Sequence, residues 1–129
     1  MLAVLAPLVA LTGSCSGPAI TAAGVQSTHD DGDVRHYDIA ITVTNHGSAA
    51  VPASVLDSVE IYQDGTKVDQ KGLPWLKPGQ SATVRYDFQR ASDARRNSTQ
   101  LRLRLVQRDP HGTAVTPCGG DAAGYRLSV

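Results

Sequence analysis

The chain has a single Glu, a single Phe and no net charge, its 12 basic side chains cancelling 12 acidic ones. Each shortage excludes something. With Glu60 alone, a paired-carboxylate mechanism would have to draw on Asp residues scattered over turns. Without net charge there is no long-range field to hold a polyanion, which argues against nucleic acid as the main partner. No apolar run reaches the roughly 20 residues that span a bilayer. No stretch sustains a 3.6-residue period over three turns, so the only helical expectation is one exposed turn within Ser92 to Asn97. A chain of 129 residues buries one core and not two, which excludes a multidomain enzyme. What is present suffices for folding, since 41% of residues are hydrophobic.

Met1 to Leu11 (MLAVLAPLVAL) is uncharged and has the length of a signal-peptide h-region, although no Lys or Arg precedes Arg35. Small residues follow from Thr12 to Gly17, as at a processing site. We expect residues 1–14 to be an export segment, 15–129 the folded domain, and the location periplasmic, cell-surface or secreted. The only two cysteines, Cys15 and Cys118, have two competing fates. One is a disulfide, which suits an oxidising compartment and would stabilise by about 4 to 5 kcal/mol in the loop-entropy model. The other is lipidation of Cys15, because Thr12-Gly13-Ser14-Cys15 resembles the lipobox of bacterial lipoproteins. A lipid anchor would be the protein's one contact with a membrane.

The remainder reads in steps of two. Tyr37, Ile39, Ile41 and Val43 alternate with polar or small neighbours, as do Ala82, Val84, Tyr86 and Phe88, then Leu101, Leu103 and Leu105, then Tyr125, Leu127 and Val129. This is the period of half-buried antiparallel strands. Turn signals separate them: Asp30 to Asp33, Asn45 to Ser48, the hairpin pair Asp64-Gly65, and Pro74, Pro78 and Gly79. About seven short strands, the first over Ala19 to Gln26 and the last over Ala122 to Val129, predict an all-β, immunoglobulin-like sandwich.

Three segments carry a resemblance. Ile41 to Ser48 (ITVTNHGS), Val59 to Gly65 (VEIYQDG) and Leu76 to Val84 (LKPGQSATV) resemble, in order, the motifs of the bacterial CARDB domains, cell-adhesion-related immunoglobulin-like modules. The resemblance covers about Ala19 to Arg108 and implies a binding or spacer module at the cell envelope. Such a fold often runs its first strand alongside its last, which would bring Cys15 and Cys118 to one end of the sandwich.

Catalytic constellations are missing. His29, His36, His46 and His111 sit at turns or strand ends without zinc-site spacing. Gly13 to Gly17 echoes a nucleophile elbow but lacks the flanking strand and helix. Asp30, Asp31 and Asp33 lack the terminal Glu of a calcium loop and read as a solvated turn. The sequon Asn97-Ser98-Thr99 reads as incidental in a bacterial protein. We expect no catalytic residue, no cofactor and no metal.

The zero charge is a sum of unequal parts. His29 to Asp38 holds four Asp and one Arg, whereas Arg85 to Arg108 holds seven Arg and two Asp. Strand parity puts Arg102, Arg104 and Arg126 on one sheet exterior with Glu60 and Tyr62. That face could grip an acidic protein or an anionic glycan. The plainer reading is an ordinary solvent face on which Glu60 pairs across strands with an Arg. Trp75, between Pro74 and Leu76, is either a ligand-stacking residue or a cap on one end of the sandwich. The function expected is a non-enzymatic binding or structural module of the envelope. The alternative is an accessory, inhibitor or chaperone-like subunit of a secretion or hydrolase system.

Overall fold

The computed structural model describes residues 18–46, 56–74, 76–94, 96–108, 114–115 and 124–129. Among these residues eight strands form two antiparallel sheets: β1 (Pro18–Asp31), β2 (Val34–Asn45), β3 (Leu56–Gln63), β4 (Thr66–Gly72), β5 (Ser81–Ala91), β6 (Gln100–Arg108), β7 (Ala114–Val115) and β8 (Tyr125–Ser128). The first sheet has the order β1-β2-β5, and the second runs β4-β3-β6, with β7 and β8 both pairing β6. The chain therefore changes sheet between β2 and β3, between β4 and β5, and between β5 and β6, as in an immunoglobulin-like sandwich.

The period-two pattern makes the core. Ile39, Ile41, Val43, Val59, Ile61, Leu101, Leu103 and Leu105 are sealed from solvent, and Tyr37, Leu76 and Phe88 join them. The edge strand β4 closes one side with charge instead of hydrocarbon. Asp69 and Lys71 stand opposite Ile61 and Val59, on the inner face, and pair with each other at 3.2 Å. Inward charge on an edge strand blocks pairing with a second chain. The bond from the Gln70 amide holds the Asp69 carboxyl below its ordinary pKa against the opposing effect of burial, with Lys71 helping.

Three details differ from the sequence expectation. The first strand continues to Asp31, so the acidic turn shrinks to Gly32-Asp33, with Gly32 at φ 62°. An Arg35–Asp30 ion pair at 3.1 Å offsets acidic repulsion in that hairpin. The helical turn is confined to a 3₁₀ turn at Ser92–Ala94. The ladder partner of β1 is β2 and not the last strand, which pairs β6. β1 and β8 nevertheless run in the same direction. Arg90, near the end of β5, donates to the Val129 carbonyl at 2.6 Å, so β8 finishes at the end of the sandwich where β1 turns into β2.

Two of the sequence motifs prove to be halves of one clasp. Asn45, fully buried, donates from its side-chain amide to the Leu76 carbonyl at 3.1 Å. Its backbone N–H donates to Gln80 O at 2.9 Å, and its carbonyl accepts from Gly79 N at 2.8 Å. Lys77-Pro78-Gly79-Gln80 closes on itself through Gln80 N to Lys77 O at 2.9 Å, with Gly79 at φ 80°. Proline followed by a positive-φ glycine is the composition of a type II turn.

Candidate binding face

Register assembles the exterior of the second sheet from four strands. Tyr62 lies opposite Arg102, and Glu60 opposite Arg104. Arg102 in turn lies opposite Arg126, while Lys67 and Gln70 of β4 flank Tyr62 and Glu60. The sequence-predicted residues Glu60, Tyr62, Arg102, Arg104 and Arg126 therefore share one face. Trp75, Cys15 and Cys118 lie outside the described residues.

Among the described residues Glu60 does not pair with an Arg. Its carboxylate, 8% exposed, accepts from Tyr62 Oη at 2.7 Å and meets Lys67 Nζ at 3.5 Å. Both guanidiniums instead lie by the Tyr62 ring, with Cζ 5.3 Å from the centroid for Arg102 and 5.9 Å for Arg104, a cation–π arrangement. The Nε–H groups of Arg102 and Arg104 are buried with no acceptor among the described residues. Among those residues no carboxylate forms an ion pair with Arg102, Arg104 or Arg126. A pair of like charges directly opposite on neighbouring strands destabilises a sheet, so this face carries an uncompensated cost.

Residues that sequence reasoning did not single out complete the face. A shallow hollow of about 200 Å³ is lined by Tyr62, Asp64, Gly65, Gln100, Arg102 and Arg126. Its rim is the β3–β4 hairpin, where Asp64 at φ 51° and Gly65 at φ 80° form the two-residue turn expected from the Asp-Gly pair. Gly124, at φ 84°, lies under the Arg102 stem: a Cβ there would stand 2.5 Å from Arg102 Cγ. Parity would have found Gln100, which precedes Arg102 by two. Nothing local marks Gly124.

The opposite sheet exterior offers no comparable charge excess. Thr21, Thr42, Thr44, Ser81 and Thr83 bond hydroxyl to hydroxyl, with Thr44–Ser81 the shortest at 2.7 Å. Arg85 pairs with Asp38 at 2.8 Å. His29 stacks on His36 at 4.6 Å with parallel rings, and His36 Nδ1 contacts Asp87 at 2.9 Å. Parallel rings aim their lone pairs side by side instead of at one point. Among the described residues no group of three or more His, Cys, Asp or Glu gathers as a metal cage would require. Burial pushes the Asp87 carboxyl up, but hydrogen bonds from Gln89 and His36 and the two His charges outweigh it and hold its pKa below the ordinary value.

Two facing sheets, the order of the strands and the buried Asn45 clasp define an immunoglobulin-like module. The chain belongs to the CARDB family, whose model matches residues 25–113. That family is a non-catalytic, immunoglobulin-like one of extracellular and envelope proteins. No curated protein and no solved structure matches the chain. Among the described residues no helix is long and apolar enough to cross a membrane.

Proposed function

We propose that the protein is an exported, non-enzymatic module that makes adhesion-type contacts with a protein or glycan of the bacterial cell envelope, and that it does so through the guanidinium face of the second sheet. The observation that carries this reading is the absence of an ion-paired carboxylate for Arg102, Arg104 and Arg126, among the described residues, on a face where Arg102 and Arg126 stand directly opposite each other. A cationic face whose guanidiniums find no ion-paired carboxylate among the described residues suits an anionic surface of another molecule. In the test, isolated envelope fractions are incubated with the wild-type protein and with the double variant Arg102→Glu/Arg126→Glu. Retention of the wild type should fall as salt is raised, and the variant should bind about tenfold less at low salt. Equal retention of the two proteins defeats the reading.

Export further suggests a Cys15–Cys118 disulfide. The common direction of β1 and β8 supports it, since the residues preceding each strand then start from one end of the sandwich. Intact mass spectrometry of protein from its native host should show a mass two protons short of the reduced chain. A diacylglycerol-sized addition would instead establish lipidation of Cys15.

A further inference from the structure

Resting on the reading above, we infer that the hollow beside the β3–β4 hairpin receives one isolated carboxylate from an acidic side chain of an extended protein segment. Two observations and the chemistry of guanidinium choose this occupant. Arg102 and Arg126 line the hollow from adjacent strands in direct register, so two cations border one volume. Guanidinium pairs carboxylates with directional bonds and keeps its charge at every working pH. Asp64 lines the same hollow and offsets one of the two positive charges, which leaves a match for one carboxylate and disfavours a densely charged polymer.

The Tyr62 ring excludes the other chemistry. A sugar stacks its C–H face on an open aromatic plane, but this ring is partly buried, approached by both Arg102 and Arg104, and its hydroxyl is already committed to Glu60. Gln100, an amide at the wall, and the Gly65 backbone at the turn suit the peptide groups that flank a carboxylate in an extended chain. Gly124 then has a positioning role: the absence of a Cβ lets the Arg102 stem lie where the hollow needs it.

The test is NMR titration of the full chain with three probes: a Gly/Ser peptide carrying one central Glu, the same peptide with Gln, and a polygalacturonate oligomer. The Glu peptide should shift the Gly65 amide and the Gln100 side-chain amide with a dissociation constant of about 1 mM. The Gln peptide should bind at least tenfold more weakly. Arg102→Gln and Arg126→Gln should each lose about tenfold, and Arg85→Gln, on the exterior of the opposite sheet, should keep the affinity of the wild type. Unfolding midpoints check that each variant is folded, and Arg126→Gln, at an exposed position, keeps the test decisive if Arg102→Gln unfolds. Binding of the uronic-acid oligomer in preference to the Glu peptide overturns the inference, as does indifference to Arg126→Gln. Failure here with the envelope retention still dependent on Arg102 and Arg126 removes only the carboxylate-peptide occupant. Failure of that retention removes the functional reading as well.

Discussion

Asn45→Ala should lower the unfolding free energy by about 2 to 3 kcal/mol, a fall of about 1 to 2 M in the urea midpoint. Asn45 is fully buried, and its amide donates to Leu76 O at 3.1 Å, so truncation strands a carbonyl and leaves a cavity together. The affected carbonyl belongs to the 73–80 connection that crosses from the second sheet to the first. The variant should therefore loosen that loop before the rest of the sandwich. Faster hydrogen exchange at Gly79 and Gln80 than at Ile41 or Leu103 would show it. Asn45→Asp separates hydrogen bonding from packing. The carboxylate has nearly the same volume but sets an acceptor against the Leu76 carbonyl, in a fully buried site where a charge is costly. Its folded-state pKa should rise above the unfolded value near 3.9, because burial favours the neutral acid. The sign follows: stability is lost as pH rises from about 4 through that raised pKa, and protonation restores a donor. Asn45→Asp should thus be at least as unstable as Asn45→Ala at pH 7 and recover part of the difference at pH 4.5. A pH profile parallel to that of the wild type would mean that the amide is not the clasp.

The clasp also explains what was legible in the chain. The alternation in Tyr37 to Val43 and Leu101 to Leu105 is a local property of each strand, so it placed the core residues without knowledge of their partners. Asp64-Gly65 located its hairpin for the same reason, since its positive φ values are a preference of those two residues. Pairing between distant strands is different. That Arg102 faces Arg126 as well as Tyr62 depends on how β6, β8 and β3 slide into register, which the buried faces decide together. Parity gave the face its predicted residues and missed Gly124, whose role is visible only against the Arg102 stem. The last strand was harder still. Alternation placed it over Ala122 to Val129, whereas its ladder with β6 begins at Tyr125, and a separate short strand, β7, pairs β6 through Ala114 and Val115. The acidic run Asp30 to Asp33 looked like a loop on composition. Tight pairing of Asp30 with Arg35, and of Asp31 with Val34, kept its first half in the strand.

Arg90 is the second residue on which large effects converge, and alternation past Phe88 points to it only if an Arg is allowed to face inward. It is 9% exposed, with its guanidinium 5.0 Å from the Tyr37 ring centre and 5.1 Å from that of Phe88. Its nitrogens donate to Tyr37 Oη at 3.0 Å, Thr99 Oγ1 at 2.9 Å and Val129 O at 2.6 Å. The charge is thus held by two aromatic faces and three oxygen acceptors. Thr99 and Val129 exchange backbone bonds of 2.8 and 2.9 Å, so the guanidinium closes the end where β5, β6 and β8 meet. Arg90→Ala loses the packing and the donors together and should cost about 3 to 4 kcal/mol. Arg90→Met keeps most of the volume and loses only the donors, so it should cost about 1 to 2 kcal/mol. Arg90→Lys should fall between the two, because an ammonium cannot reproduce the planar fork over two rings. Urea denaturation ranks the three variants, and hydrogen exchange at Leu127 and Val129 reports whether β8 frays first. Equal losses for Met and Ala would assign the effect to the hydrogen bonds alone. Equal stability of Arg90→Met and the wild type would reduce Arg90 to a space-filling stem. The predicted order, Ala below Lys below Met below wild type, requires both contributions, and through β8 it ties the stability of this end to the strand that carries Arg126.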